Sequence, residues 1–446
     1  DVRCIDNHPL HRAARRKART RARLVRILPW IAAGLLAAAV LILLPGLLRQ
    51  NADMPAMTDA MRAVTASPEP TENALAAETD GLPTEDDAAA DEPDETMETD
   101  EAIPADEPPA LDALTEETPA PPLPAAAPSP ASEPVRITIS AAGDCTLGGD
   151  SSSRSYSAFA AAYKNNGAAY FLKNVRDIFA GDDLTIVNLE GPLTTAKRHR
   201  EKEFVFHGDP EYVKILTEGS VEAANIANNH AKDYLNAGLT ETAAVLKAAD
   251  VARFGWGKTE ILEIKGVRVG LCGFGVWYGS VSTMEKQIKA LKKDCDLVIA
   301  SIHGGEEGEG RALKVQRDYA RAAVRAGANL VLGHHPHVVG GIETYKGATI
   351  VYSLGNFCFG GNTNPDDKDT FIFQQTFEVG ADGPVAADTL VIPCTVSGKK
   401  DRNDYQPAPL TGSAAERVLG RIEKLSKGFG QPVDLTASRE RLKEEG

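Results

Sequence analysis

The sequence predicts an α/β layered domain over residues 135–446, with its core at 135–395, and three observations lead to it. From Val135 onward, short apolar runs of strand length alternate with stretches of helical spacing, the pattern of sheets covered by helices. Polar residues able to do chemistry fall just past the ends of the apolar runs, where the loops of an α/β sheet converge on one edge. Residues 1–134 lack this alternation and divide into three further zones of their own.

The expected strands are 136–142, 184–189, 223–227, 268–274, 297–302, 330–332 and 349–353, each a Val-, Ile-, Leu- or Ala-rich run short enough to be a buried strand. Helical spacing occupies 210–218, 238–249, 284–293 and 313–326 between them. Toward the end, 371–379 and 389–394 read as outer strands and 413–425 as a final helix.

Before the domain, residues 1–26 carry a basic cluster (Arg12, Arg15, Arg16, Lys17, Arg19, Arg21, Arg23, Arg26), and 27–48 follow without a charge. An apolar run of roughly 20 residues suffices to cross the bilayer, and flanking Arg and Lys stay in the cytoplasm. The expectation is a single-pass membrane anchor, N-terminus cytoplasmic and C-terminal domain extracellular, in contact with the lipid bilayer. A cleaved signal peptide is the rival reading; the apolar run exceeds the roughly 7–15 residues of such a segment, and no clear small-x-small site follows it. Pro29 sits near the start of the span, where a first-turn proline removes only an unpartnered amide.

Residues 49–134 are rich in Ala, Pro, Glu, Asp and Thr, and from 51 onward contain no aromatic residue. Such a segment cannot bury enough apolar surface to form a core and is expected to be a disordered acidic linker. The net charge of -15 is concentrated there and argues against a nucleic-acid partner. The six cysteines (Cys4, Cys145, Cys272, Cys295, Cys358, Cys394) show no CxxC spacing, so neither a zinc ribbon nor a redox pair is suggested. They are expected to be mostly small buried apolar residues, with one disulfide left open.

Asp144 follows the first expected strand, Asn188 and Glu190 close the second, Asn229 and His230 follow the third, His303 the fifth, and His335 and His337 the sixth. Two carboxylates, an amide oxygen and several imidazoles form a donor set suited to Mn, Fe, Zn or a similar divalent ion. Each residue alone is unremarkable, since a single His is commonly structural; the shared register past strand ends is what points to a site.

The segments GDCTLGG (from Gly143), VNLEGPLT (from Val187), ANNHAKDY (from Ala227), IHGGEE (from Ile302), GHHPHVVGG (from Gly333) and YSLGNF (from Tyr352) resemble, in the same order, the signature blocks of the CapA family of poly-gamma-glutamate capsule proteins. The resemblance covers roughly 135–394. It implies a calcineurin-like metallophosphatase fold, a four-layer β sandwich flanked by helices, with one or two divalent ions per chain at the strand ends. It implies metal ligation by Asp144, Glu190, Asn229, His230, His303, His335 and His337, with Glu190 in the place of the bridging carboxylate. His230 and Asn229 become the catalytic pair, His230 protonating the leaving group and Asn229 orienting substrate. Asn188, His334, Asn356 and Arg311 become candidates for substrate contact; His334, the odd one out, is expected to face away from the metal or to touch substrate. Arg198 and Lys232 are further candidate cations, and Glu306, Glu307 or Glu309 can support an imidazole from behind. Two departures stand out. Thr146 occupies the place where metallophosphatases carry a histidine, and Glu190 is longer than the usual aspartate, so a mononuclear or labile site is also compatible.

The expected function is support of synthesis, export or anchoring of poly-gamma-glutamate or another anionic envelope polymer, beside membrane synthase components, through a metal-dependent hydrolase-like site. A non-enzymatic polymer-binding scaffold and an envelope metallophosphoesterase unrelated to any capsule are the alternatives.

Overall fold

The structure, a computed structural model, describes residues 133–444, and the expected basic tail, apolar span and nearly all of the acidic linker lie outside them. In chain order the elements are β1 (Val135–Thr146), β2 (Gly149–Asp150), α1 (Arg154–Asn166), β3 (Leu184–Leu189), β4 (Phe206–His207), α2 (Val213–Glu218), β5 (Ala223–Asn225), α3 (Leu235–Ala248) and β6 (Ala252–Phe254). There follow β7 (Glu260–Ile264), β8 (Val267–Gly275), α4 (Val281–Asp294), β9 (Leu297–His303), α5 (Lys314–Ala326), β10 (Leu330–His334), β11 (Ile342–Tyr345), β12 (Ala348–Val351) and β13 (Asn356–Phe359). The chain closes with β14 (Asp369–Gly380), β15 (Gly383–Thr395), β16 (Ala408–Pro409), α6 (Gly412–Ser426) and α7 (Thr436–Glu444). Single helical turns bridge α1 to β3 and precede α2.

Two mixed sheets result. One runs β16-β15-β14-β1-β3-β5-β6 with β13 added to β1, and the other β11-β12-β10-β9-β8-β7. Within them, β1, β3, β5 and β6 are parallel, as are β8, β9, β10 and β12. Antiparallel strands appear only toward the edges, through β14–β16, β7 and β11.

Alternate side chains of each strand serve different layers, as the period of two demands. Ile137, Ile139 and Ile186 of the first sheet meet Val269, Leu271, Leu297, Ile299 and Leu332 of the second in one core between the sheets. Val187, Leu189 and Ala224 face outward against Phe159 of α1 and Ile215 and Leu216 of α2. Val298, Ala300 and Val331 face outward against Ile288 of α4 and Ala320 and Ala323 of α5. The order helix, sheet, sheet, helix is the layering expected.

The folded unit extends past the expected core limit of 395. Val418, Leu419 and Ile422 of α6, together with Leu435, enter the core between the sheets. Among the described residues no helix is long and apolar enough to cross a membrane. The described cysteines, Cys145, Cys272, Cys295, Cys358 and Cys394, are all buried and free, so the disulfide left open is absent among them.

Candidate metal centre

Parallel pairing carries the chemistry-bearing residues to one edge in register. Asp144 lies opposite Asn188 on one side and Asn356 on the other, while His303 lies opposite His334. Gly143 makes the alignment with Asn356 possible: a Cβ there would stand 2.0 Å from the Gly355 carbonyl oxygen, and the Asp144 amide donates to that same oxygen at 2.9 Å.

Two groups of donor atoms form at this edge, each with all its atoms within 4.8 Å of one another: Glu190, His303 and His335 in one, Asp144, Glu190 and His337 in the other. Glu190 belongs to both. Asn229 joins the first group, its Oδ1 lying 2.8 Å from His303 Nε2. His335 and His337 reach inward from strained backbone, at φ 97° and 59°, a conformation costly for residues with a Cβ and frequent at functional sites.

The residues present fit a divalent cation. Both carboxylate oxygens of Glu190 and the Nδ1 of His335 are buried with no hydrogen-bond partner, which costs free energy unless something else satisfies them. Asp144 and Glu190 are fully enclosed, at 0% and 1% exposure, so their charges require a positive partner. Burial pushes the Glu190 carboxyl up to about 8, against the pull of His337. Burial also opposes charge on His337, but Glu190 and Asp144 carry it up to about 10. Asp144 is held well below the carboxylate range despite burial, through His334 and His337. Burial keeps His303 well below its ordinary value, and burial with His337 brings His335 down to about 4. His303 and His335 are therefore neutral, the state a ligating imidazole needs, whereas Glu190 and His337 would each release a proton on taking up a cation.

The remaining expected site residues divide by position. Asn188 is fully buried, so its expected contact with substrate gives way to a supporting role. Its Nδ2 donates to Asp144 Oδ1 at 2.9 Å and its Oδ1 accepts from Asn225 at 2.9 Å and Asn228 at 3.3 Å. Asn356 accepts at Oδ1 from His337 Nδ1 at 2.9 Å and donates to the His337 carbonyl at 3.2 Å, positioning that ring. His334, at 1% exposure, is enclosed instead of meeting substrate, and its Nδ1 lies 3.3 Å from Asp144 Oδ1 instead of facing away. Arg311 is exposed, with its backbone amide on Glu309 Oε1 at 2.8 Å. Thr146 is buried with an unpartnered hydroxyl.

His230 stands in neither donor group. Its Nδ1 lies 2.7 Å from Asp233 Oδ2, its ring stacks on Phe206 at 4.1 Å, and burial lowers its pKa. Asp233 itself accepts from the Phe206 amide at 2.7 Å and pairs with Lys202. Sequence reading missed both Asp233 and Lys202, although the i, i+3 spacing of His230 and Asp233 was visible in ANNHAKDY. It also missed Trp277, half exposed, whose ring meets His335 edge-on at 4.7 Å.

Fold and site together define a two-sheet α/β protein with a histidine–carboxylate centre of metal-binding type at the strand ends. Residues 138–361 match the family described as bacterial capsule synthesis protein PGA_cap, and the chain belongs to that family. It is similar to the PGA biosynthesis protein CapA of Bacillus subtilis, 32% identical over 221 residues, which cover 44% of this chain and 58% of that protein. It is likewise 32% identical over 223 residues to the capsule biosynthesis protein CapA of Bacillus anthracis, covering 43% of this chain and 54% of that one. The chain thus spans somewhat over half the length of these curated relatives. Among solved structures, a phosphatase from Mycoplasma pneumoniae aligns with TM-score 0.39 and 15% identity, covering 61% of this chain and 95% of its own.

Proposed function

We propose that this chain acts on poly-gamma-glutamate, or another anionic envelope polymer, at a divalent-metal centre of metallophosphatase type. The observation that carries the reading is Glu190, a buried carboxylate shared by two donor groups with both oxygens otherwise unsatisfied. Membership in the capsule synthesis family supports the polymer as substrate. Asp144, Glu190, Asn229, His303, His335 and His337 would hold one or two ions, of Mn, Fe or Zn.

When bound, such ions supply Lewis acidity toward a phosphoryl or carbonyl oxygen. His230 exchanges the proton: the Nδ1–H donates to the Asp233 carboxylate, which fixes the ring and leaves Nε2 as the exchanging atom. Asn188 and Asn356 hold Asp144 and His337 in place, so the donors need not reorganise when substrate arrives. Trp277 packs edge-on against the His335 ring and helps fix its orientation. The basic 1–26 and uncharged 27–48 segments support a single-pass anchor that keeps this domain outside the cell beside membrane synthase components.

The reading is tested by incubating the full chain, supplied with Mn, Fe or Zn, with poly-gamma-glutamate and with a panel of phosphate esters, and following chain length and released phosphate. Metal-dependent polymer turnover that Glu190→Ala abolishes is the expected result. Turnover confined to the esters would replace the capsule role with an envelope phosphoesterase, and polymer binding without turnover would leave a scaffold.

A further inference from the structure

Beside the metal centre, where the C-terminal ends of β5 and β8 meet, lies a cavity of about 250 Å³ lined by residues that include Ala227, Gly273, Gly275, Trp256, Tyr278 and Gln287. It adjoins the centre through two elements. Gly275 pairs in register with His303, and Trp277, next to Tyr278, packs on His335. Ala227 begins the same segment that presents Asn229 and His230.

Its walls are fixed aromatic surfaces. The Trp256 and Tyr278 rings lie 4.5 Å apart, and Trp256 Nε1 donates to the Ile226 carbonyl at 3.0 Å. Gln287 Nε2 donates to the Gly257 carbonyl at 3.3 Å and ties the far side to α4. Gly273 lets β8 pack closely on Asn225, since a Cβ there would stand 2.1 Å from Asn225 Oδ1.

Two cations, Lys232 and Arg200, border these walls, with the enclosed Asp233 carboxylate in the same neighbourhood. Lys232 Nζ lies 4.6 Å above the Trp256 ring, a cation–π contact that holds the ammonium near the cavity while leaving its hydrogen-bond donors free. Arg200, exposed, is tied to the segment that carries Lys232 by its amide, which donates to the Asp233 carbonyl at 2.8 Å; it opposes, and Asp233 adds to, the rise that burial imposes on the Tyr278 phenol. A phosphate alone needs only the charges and the metal centre. Aromatic walls with cations at the rim suit a ligand that carries a carboxylate on an aliphatic stem.

We propose that this cavity is a substrate subsite for one carboxylate-bearing aliphatic unit of the polymer, its methylenes against Trp256 and Tyr278 and its carboxylate on Lys232 and Arg200. The volume lies just below the range of roughly 300–1,000 Å³ typical of ligand sites, which suits a single repeat and not a long segment. The subsite rests on the polymer reading above, and it specifies which unit next to the reacting bond is recognised.

The test is calorimetric titration of the full chain with a γ-linked glutamyl hexamer, with and without Mn, and with inorganic phosphate as control. Lys232→Gln and Arg200→Gln should each weaken hexamer affinity about tenfold, the loss expected for one charge-assisted contact. Lys232→Arg should restore most of it, while metal content stays at the wild-type value. Hexamer affinity unchanged in both Gln variants overturns the subsite and leaves the polymer reading standing. A wild type that binds no hexamer with or without Mn overturns the polymer reading, and the subsite with it.

Discussion

At the scale of single residues, the site depends on side chains that never touch substrate. Asp233 is completely enclosed and spends one oxygen on His230 Nδ1 and on the Phe206 amide. Asp233→Asn keeps the shape but removes the charge that stabilises a protonated imidazole. Turnover should then fall by about 100-fold or more, the usual contribution of a positioned acid or base, with metal content unchanged. Parallel assays of rate and metal content check this; equal losses in both would make Asp233 part of the metal centre. A second carboxylate, Asp182, lies away from the centre at the start of β3, and burial pushes it up to about 6 while Thr185 donates to it at 2.8 Å. Its folded-state pKa exceeds the unfolded value near 3.8, so the native state binds more protons between the two and stability falls as pH rises through that window. Asp182→Asn should therefore raise the melting temperature at pH 7.5 and change it little at pH 4, as thermal unfolding at the two values would show.

The elements show which parts of the sequence could be read and why. Buried parallel strands are near-continuous apolar runs, so β3, β8, β9 and β10 were visible within a residue or two of their limits. Two- to four-residue strands such as β2, β4, β11 and β13 have no period to read, and they exist because neighbouring strands offer backbone partners. The helix α1 was missed although its Ser153 cap accepts from the Ser155 amide, because its run of small residues resembles a loop. The convergence of Asp144, Glu190, Asn229, His303, His335 and His337 was legible for the same reason as the strands, since polar residues past strand ends share an edge, whereas His230 falls outside both donor groups. Asp233 and Lys202 were not legible, because each acquires its role from a loop folding back on it, and the Asn225 support depends on its register opposite Asn188 in the neighbouring strand. The close approach of β1 and β13 makes a direct test at this scale. Gly143→Ala places a Cβ against the Gly355 backbone and should cost about 3 kcal/mol, at the upper end for overpacking, because no side chain can yield. Urea unfolding checks it, and an unchanged midpoint would contradict the described pairing.

For the molecule as a whole, α6 and the metal centre connect distant parts of the chain to a single two-sheet core. Truncation after Thr395 removes Val418, Leu419 and Ile422 from between the sheets. At ~1.5–3 kcal/mol for each buried side chain, that loss is comparable to the entire stability of ~5–15 kcal/mol expected for a domain. The truncated chain should lose cooperative thermal unfolding, and a sharp melt near the full-length value would show that α6 only decorates the fold. The centre draws Asp144, Glu190, Asn229, His303, His335 and His337 from both sheets, and Glu190 joins its two halves. The most direct measurement is elemental analysis of the dialysed full chain, produced with Mn, Fe and Zn supplied, for wild type, Glu190→Ala, His335→Ala and His337→Ala. The account predicts retained metal in the wild type, partial loss in each histidine variant and near-complete loss in Glu190→Ala; a folded wild type without metal, or a Glu190→Ala chain with undiminished content, would contradict it.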